Sequence, residues 1–551
     1  MNTKEVSQST NVVVTDLDND VNKHLWNIAN VLRGNMSSSD YMNYILGFIF
    51  IRSVSDKVEN YADEQLKNDG IKFKNITEQH EQYQDLKEVC LDDIGVFIKP
   101  SQLWENLMSN YQNNDGYILI ENIENLIFDI EHSNPFGELR GNKELPFNKI
   151  LSDLDLKSDK LAKIVKEKDK TVYKIMEHIS KIKRELFDQY DVLGDAYEYL
   201  IGEFASEAGK KGGEFYTPQA IATLLSKIVA NGKQKISKAY DPTCGSGSLL
   251  LRLKKENEKL TKETNSLIGD TIQFFGQELN TVTYNLARMN MFIHGVKYDS
   301  FSIKNENTLS NPAFIENDNL SLVGKCDAIV ANPPFSAQWS PTGHENDARF
   351  VKYGAFAPKN KADFAFVQHM LHMLSNDGTM AVVVPNGVLF RGGAEGKIRK
   401  FLIENEDCLE AVIGLPDNIF FGTSIPSCIL VFKKCKQIKG IKFVDASKMF
   451  TSQKTKNVLM PEHVKTIFEA YLSETEIENI SRLVPIEEIV ENDYNLNVSK
   501  YLYEEIIHAE LNIEEFNAEM TKLQDESNEC LKAIYKANEE LGISVNLGKV
   551  Y

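Results

Sequence analysis

The stretch Asp327-Ala-Ile-Val-Ala-Asn-Pro-Pro-Phe-Ser336 holds the densest chemical content of the chain. Its apolar run, Ala328 to Ala331, reads as a buried strand. Two consecutive prolines end that strand, because proline has no N–H to give to a sheet ladder. Each proline also pushes the residue before it toward extended geometry. The product is a stiff lip at a strand's carboxyl end. It carries the amide of Asn332, the carbonyls of Pro333 and Pro334, and the ring of Phe335. Alone, such a segment is a rigid turn. Open α/β sheets bind ligands at that position, however, and two further strand ends have matching content.

The first is Lys238-Ala-Tyr-Asp-Pro-Thr-Cys-Gly-Ser-Gly-Ser248, where a strand ends at Asp241 and a loop with Gly245 and Gly247 turns into a helix from Ser248. Glycine lets the backbone approach a ligand, and a helix N-terminus offers free N–H groups. The spacing lacks the third glycine of the dinucleotide fingerprint. An acid at the strand end also suits a positive group better than a pyrophosphate, so a nicotinamide dehydrogenase is disfavoured. The second is Ile272 to Asn280, with Glu278 where an acid typically holds ribose hydroxyls. Asp241 near an ammonium and Glu278 on a ribose describe a nucleoside cofactor with an amino-acid part. S-adenosylmethionine has both, and its sulfonium needs no acid activation. The lip then suits an exocyclic amine such as adenine N6, whose lone pair is delocalised into the ring. With the Asn332 side-chain oxygen and the Pro333 carbonyl accepting its two N–H groups, the nitrogen is held closer to tetrahedral and its lone pair points at the methyl group. Phe335 stacks on the base. This is catalysis by orientation and electrostatics, and a duplex base reaches such a pocket only by flipping out.

Residues 1–15 are polar and are expected to be disordered. From 16 to 188 the periodicity is helical, with Ser38-Ser39-Asp40 as an N-cap for an apolar helix from Tyr41 to Ser53. From 189 to 450 strands and helices alternate, which predicts an α/β domain with a mostly parallel, doubly wound sheet. Its strands are expected at 238–241, 272–280, 301–309, 328–331, 378–387, 408–416 and 427–433, with an edge strand at 441–444. Thr217-Pro218 reads as a helix start, threonine as N-cap and proline at the first position. From 451 to 551 the pattern is helical and mixed. A heptad register runs from Leu502 to Leu541 through Ile513, Phe516, Met520, Leu523 and Ile534, the geometry of a coiled-coil seam. From Tyr501 to Tyr551 there are eleven acids against four lysines, so this helix is expected to pack on protein.

The chain of 551 residues has a formal net charge of −19, a poor balance for binding nucleic acid alone. A second subunit would have to supply the positive surface. The seven cysteines are scattered with no C-x-x-C pair, which indicates neither a disulfide framework nor a metal cluster. The N-terminus lacks the apolar core of a signal peptide, and no apolar run approaches a membrane span. A cytoplasmic protein is expected.

Asp-Pro-Thr-Cys-Gly-Ser-Gly-Ser followed by Asn-Pro-Pro-Phe resembles the amino-directed DNA methyltransferases. Gly-Gly-Glu-Phe-Tyr-Thr-Pro-Gln219, the helical N-terminal region with Leu25-Trp26 and Leu32-Arg33-Gly34, and Asn495-Leu-Asn-Val-Ser499 extend the likeness to nearly the whole chain. It resembles the methylation subunit of type I restriction–modification systems. The resemblance implies a Rossmann-like S-adenosylmethionine-dependent methyltransferase fold between helical flanks. It implies that Glu214, Phe215, Tyr216, Thr217, Pro218 and Gln219 close over the cofactor, that Ser246, Gly247 and Ser248 border its methionine part beside Gly245, and that Glu278 holds its ribose. Asn332, Pro333, Pro334 and Phe335 would hold the target adenine. Where many relatives have an aspartate after the third strand, this chain has Asn307. The implied partners are a second copy, a specificity subunit that reads duplex DNA, and a restriction subunit for cleavage. No phosphate-binding G-x-x-x-x-G-K-[ST] occurs, so no ATPase is expected here. Methyltransferases for protein glutamine or for RNA base amines share the Asn-Pro-Pro motif, and a non-catalytic scaffold is the remaining alternative. The helical N-terminal region and the heptad tail disfavour the other acceptors, and the intact Asn332–Phe335 and Glu278 disfavour the scaffold.

Overall fold

The computed structural model describes residues 24, 27–28, 32, 36–137, 144–182, 200, 217–263, 272–315, 321–420, 423–453, 456–503 and 513–541. Glu214, Phe215, Tyr216, Leu25-Trp26 and the polar N-terminus lie outside the described residues, as does the heptad stretch 504–512.

The helical region comprises α1 (Ser38–Gln65), α2 (Tyr83–Ile94), α3 (Trp104–Asn113), α4 (Leu119–Glu131) and α5 (Val165–Ser180). The cap of α1 is Ser37, one residue earlier than expected. Its hydroxyl accepts from Asp40 N, and the Asp40 carboxylate accepts from Ser37 N, each at 3.3 Å. That reciprocal box satisfies two orphan donors. The helix also runs twelve residues past Ser53. Leu46, Phe48, Ile49, Phe50 and Ile51 are all at most 1% exposed, so α1 is buried on every side over this stretch and forms the centre of this region.

A nine-stranded sheet follows, with β1 (Lys238–Asp241), β2 (Gln273–Gln277), β3 (Phe301–Lys304), β4 (Cys326–Ala331), β5 (Leu374–Pro385), β6 (Leu409–Gly414), β7 (Ser427–Lys433), β8 (Ile441–Asp445) and β11 (Ser481–Val484) in the order β11-β8-β6-β7-β5-β4-β1-β2-β3. A separate hairpin pairs β9 (Thr451–Ser452) with β10 (Asn457–Val458). The ladder from β3 to β5 is parallel. β7 runs antiparallel to both β5 and β6, and β11 is antiparallel to β8. β6 pairs parallel with β8, so the sheet is mostly parallel as expected, with β7 and β11 as its two reversed strands. The crossing into β7 is short enough to bring that strand back between β6 and β5.

The helices of this part are α6 (Gln219–Ala230), α7 (Ser248–Glu263), α8 (Thr281–Ile293), α9 (Asp363–Met373), α10 (Gly393–Glu404), α11 (Pro461–Leu472) and α12 (Ile486–Glu491). Strand β11 moves the expected boundary at 450. The compact unit ends at Leu502, and Tyr503–Tyr551 forms a second unit whose helix α13 spans Ile513–Glu540.

The core of the helical region takes in one face of α8, through Leu286, Met289, Phe292 and Ile293. Phe50 of α1 packs edge-on against Phe292 of α8 at 5.6 Å between centroids. Arg288 of α8 donates to the carbonyls of Pro146 and Asn148 at 2.7 and 3.0 Å, and Asn285 donates to Asp153 at 2.9 Å. Helix α8 is thus clamped from behind while its N-terminus faces the strand ends. Among the described residues no helix is long and apolar enough to cross a membrane.

Candidate active site

Parallel pairing delivers the carboxyl ends of β1, β2 and β4 to one edge. Tyr240 lies opposite Ile329, and Asp241 opposite Gly276. After β1 the chain turns through Gly245 (φ +54°) and Gly247 (φ +81°), conformations that favour glycine. Gly276 is required for a different reason. A Cβ there would stand 2.8 Å from Ile303 and 3.0 Å from the Cys244 sulfur.

Glu278 holds this edge together. One carboxylate oxygen accepts from Gly245 N at 3.0 Å and the other from Asn280 N at 2.8 Å. Burial raises its pKa above the usual carboxylate range, against those two bonds. Asn280 also caps α8 by accepting from Thr283 N. A cavity of about 450 Å³ opens here, lined among others by Thr243, Glu278, Asn280, Asn307, Asn332 and Trp339. That volume suits a nucleoside-sized ligand.

The catalytic candidate is set by a contact the sequence did not reveal. Asn332 Nδ2 donates to Thr217 Oγ1 at 3.2 Å. The Asn332 side-chain oxygen is buried with no hydrogen-bond partner among the described residues. Thr217 was expected to cap α6. Instead that helix begins at Gln219 behind Pro218, with no side-chain cap, and the threonine hydroxyl is spent on orienting the amide. Pro333 is buried and Pro334 lines the cavity. Ser336 sits at φ +52°, and its N–H donates to Asp363 Oδ1 at 2.9 Å. Asp363 is buried, with Arg391 3.6 Å away, so the turn after the lip is pinned to the start of α9.

The other sequence candidates are placed as follows. Asp241 is fully buried. One oxygen accepts from Thr243 N at 2.9 Å, and the other has no partner among the described residues. Burial pushes its pKa up to about 8. Ser246 and Ser248 are buried too, and the Ser246 hydroxyl lacks a described partner. Asp241, Gly245, Ser246, Gly247 and Ser248 are not among the residues that line the cavity, which the segment reaches through Pro242 and Thr243. Phe335 packs edge-on against Phe420 at 5.8 Å. Pro218 and Gln219 do not join Glu278. They line a larger cavity of about 890 Å³ with Lys227, Ile419 and Phe468, which holds none of the three strand-end motifs. Asn307, whose role the sequence left open, lines the Glu278 cavity, and its side chain accepts from Leu309 N and Ser310 N. Trp339 and Phe366, which no spacing had singled out, line the same cavity.

A family model described as N-6 DNA Methylase matches residues 188–510, and one described as HsdM N-terminal domain matches 21–179. The chain belongs to the N-6 DNA methylase family. Within it, the methylase subunit of the type I restriction enzyme MpnII from Mycoplasma pneumoniae is 35% identical over 525 residues, 94% of this chain and 95% of that one. The crystal structure of a type I restriction–modification methyltransferase subunit from Streptococcus thermophilus is 37% identical, covers 88% of this chain and all of its own, and superposes with a TM-score of 0.77. A modification subunit of a putative type I restriction enzyme from Vibrio vulnificus, at 19% identity and a TM-score of 0.58 over 88% of this chain, shares the fold.

Two predictions follow from this geometry of the methylase. Thr217→Val removes only the hydroxyl that orients Asn332. Methyl-transfer kcat should fall by on the order of ten- to a hundred-fold, with cofactor affinity within about two-fold by calorimetry, and Thr217→Ser should restore the rate. Asp241→Asn tests the buried carboxyl. With its folded pKa near 8, Asp241 keeps its proton between about pH 4 and 8 while the unfolded chain loses it. Stability of the wild type therefore falls as pH rises through that window, by at most about 1.4 kcal/mol per unit. The asparagine variant lacks this slope, so its stability relative to wild type should rise from pH 5 to pH 8 in ligand-free thermal melts. A flat difference would show that Asp241 ionises normally.

Proposed function

We propose that this adenine-specific DNA methylase transfers a methyl group from S-adenosylmethionine to the N6 amine of an adenine flipped out of duplex DNA, as the modification subunit of a type I restriction–modification complex. The observation that carries the reading is the Asn332 side-chain oxygen. It is a buried, partnerless acceptor among the described residues, aimed by Thr217, in the cavity that Glu278 and Asn307 share. The residues fit the cofactor on the same ground. Asp241 has an orphaned buried oxygen suited to an ammonium, and Glu278 retains acceptor capacity for ribose hydroxyls beyond its two backbone bonds. When bound, the cofactor supplies an electrophilic methyl group on a sulfonium.

The chain's own contribution is orientation. Asn332 Oδ1 and the Pro333 carbonyl accept the two N–H groups of the amine and turn its lone pair toward the methyl group. Both acceptors are neutral and fixed beforehand, so no reorganisation is needed as charge develops on the nitrogen. Phe335 stacks on the base, rotating from its edge contact with Phe420. No strong base is required, because the amine loses its proton only after it has become cationic.

Helix α13 is the assembly element in this reading. Phe516, Met520, Leu523 and Ile534 are 47–56% exposed, which leaves an apolar seam at heptad spacing along an acidic helix. We assign it to a helix of a separate specificity subunit that also brings the DNA, with a second methylase copy on the same partner and a restriction subunit joining for cleavage.

Asn332→Ala should abolish labelled methyl transfer to adenine-unmethylated duplex DNA while cofactor affinity stays within about three-fold. Loss of cofactor binding would move the residue out of the target-base role, and transfer only to protein or RNA would overturn the substrate. Truncation after Leu502 should leave a folded, cofactor-binding catalytic unit that no longer co-purifies with the specificity subunit. Intact assembly would refute the role given to α13.

A further inference from the structure

A buried polar network stands directly behind the cofactor cavity, and its members are sequence neighbours of the site residues. Tyr240 precedes Asp241, Gln277 precedes Glu278, and Thr308 follows Asn307. At its centre is Arg349, 2% exposed. Its guanidinium donates to the carbonyls of Thr308 at 3.0 Å and Leu309 at 2.7 Å, to both carboxylate oxygens of Asp347, and to His369 Nδ1 at 3.2 Å. Arginine has only donors, so His369 Nδ1 must accept and Nε2 must carry the proton. Nε2–H therefore donates to the Tyr240 hydroxyl at 2.8 Å, and that hydroxyl donates to Gln277 Oε1 at 3.1 Å. Gln277 in turn donates to the Asn311 carbonyl. Every donor direction follows from the arginine, and the chain runs across β1, β2, the turn after β3 and helix α9. Burial and the adjacent guanidinium hold His369 neutral, well below its ordinary pKa, as this pattern requires.

The segment that carries Arg349 is also the one that follows the catalytic lip. Phe350, its neighbour, packs against Trp339 at 5.3 Å. The Trp339 indole N–H is fixed by the Ala357 and Pro358 carbonyls, and its ring borders the cavity. One guanidinium thus joins the cavity wall at Thr308–Leu309 to the wall at Trp339. A lysine could not replace it, since a single ammonium cannot span two adjacent carbonyls, a carboxylate and an imidazole in one plane.

We propose that Arg349, with Tyr240 and His369, is a positioning brace that sets the two walls of the cofactor cavity relative to each other, so that occupancy at the Asn307 wall orders the segment following the lip. The proposal rests on the cofactor reading of that cavity. Calorimetric titration of the full-length chain with S-adenosylhomocysteine separates the two. A wild-type chain that takes up none of it overturns the cofactor reading, and the brace with it. Where the wild type binds, Tyr240→Phe keeps the ring and removes one hydroxyl. It should weaken binding about ten-fold and lower the ligand-free melting midpoint modestly, since His369 Nε2–H loses its buried acceptor. Arg349→Lys should weaken it at least as much and reduce the quenching of Trp339 fluorescence, which Trp339→Phe identifies. Unchanged affinity in Tyr240→Phe, whether or not its melting shifts, would reduce the network to packing and overturn the proposal. Hydrogen exchange on the wild type needs no variant to fold. The ligand should slow amide exchange at 347–350 as well as at 306–309, and protection confined to 306–309 would equally overturn the brace.

Discussion

Parallel pairing of β1 with both β4 and β2 is the constraint on which the rest of the site depends. A parallel ladder sends every strand's carboxyl end to the same edge and requires each return to cross over the sheet, most often through a helix. The cavity is the gap those returns leave. Its tolerance is narrow: Asp241 lies opposite Gly276, and a side chain at 276 would collide with Cys244 and Ile303. The glycine loop can therefore sit close enough for Glu278 to bond Gly245 N. One carboxylate then fixes the turn after β1 and the turn after β2 together, which is why burying it is tolerated.

The helical region takes part in the same arrangement although none of its described residues lines the cavity. Helix α8 begins at the cavity, where Asn280 caps it, and carries on its length Asn285, Arg288 and Phe292, which bond or pack against 146–153 and Phe50. A shift of the helical region would pull on the helix whose N-terminus closes the site. The helical region thus bears mechanically on the site from within the same compact unit.

Much of this was legible in residue types. The strand ends at Asp241, Glu278 and Asn332 were marked by glycines, acids and prolines, each of which acts through local backbone chemistry. What escaped was long-range or weakly patterned. Strand β11, Ser481-Arg-Leu-Val484, is an edge strand with its leucine exposed, so it shows no alternation of apolar and polar residues. The reversed β7 has the same apolar content as a parallel strand, and composition does not encode direction. Thr217 read as a cap because threonine before proline usually is one. Its true partner lies 115 positions away, beyond any local signal. The same holds for Trp339 and Arg349, which are ordinary residues in a segment without periodicity.

The electrostatics of the site oppose its own empty state. Asp241 and Glu278 are both desolvated, each raised above the usual carboxylate range, and the charge of Glu278 raises Asp241 further. Among the described residues neither carboxyl forms an ion pair. A protein optimised only for stability would place an amide or an apolar group at 241. Retaining an acid there costs stability at neutral pH, and a cationic group bound beside it recovers that cost by drawing the carboxyl back into its charged form. Cofactor uptake should then release a proton. The lip is built on the opposite principle, with a neutral amide and neutral carbonyls that do not titrate. In this reading charge is used to bind the cofactor and geometry to react it, so pH acts on the methylase through cofactor affinity more than through the methyl-transfer step.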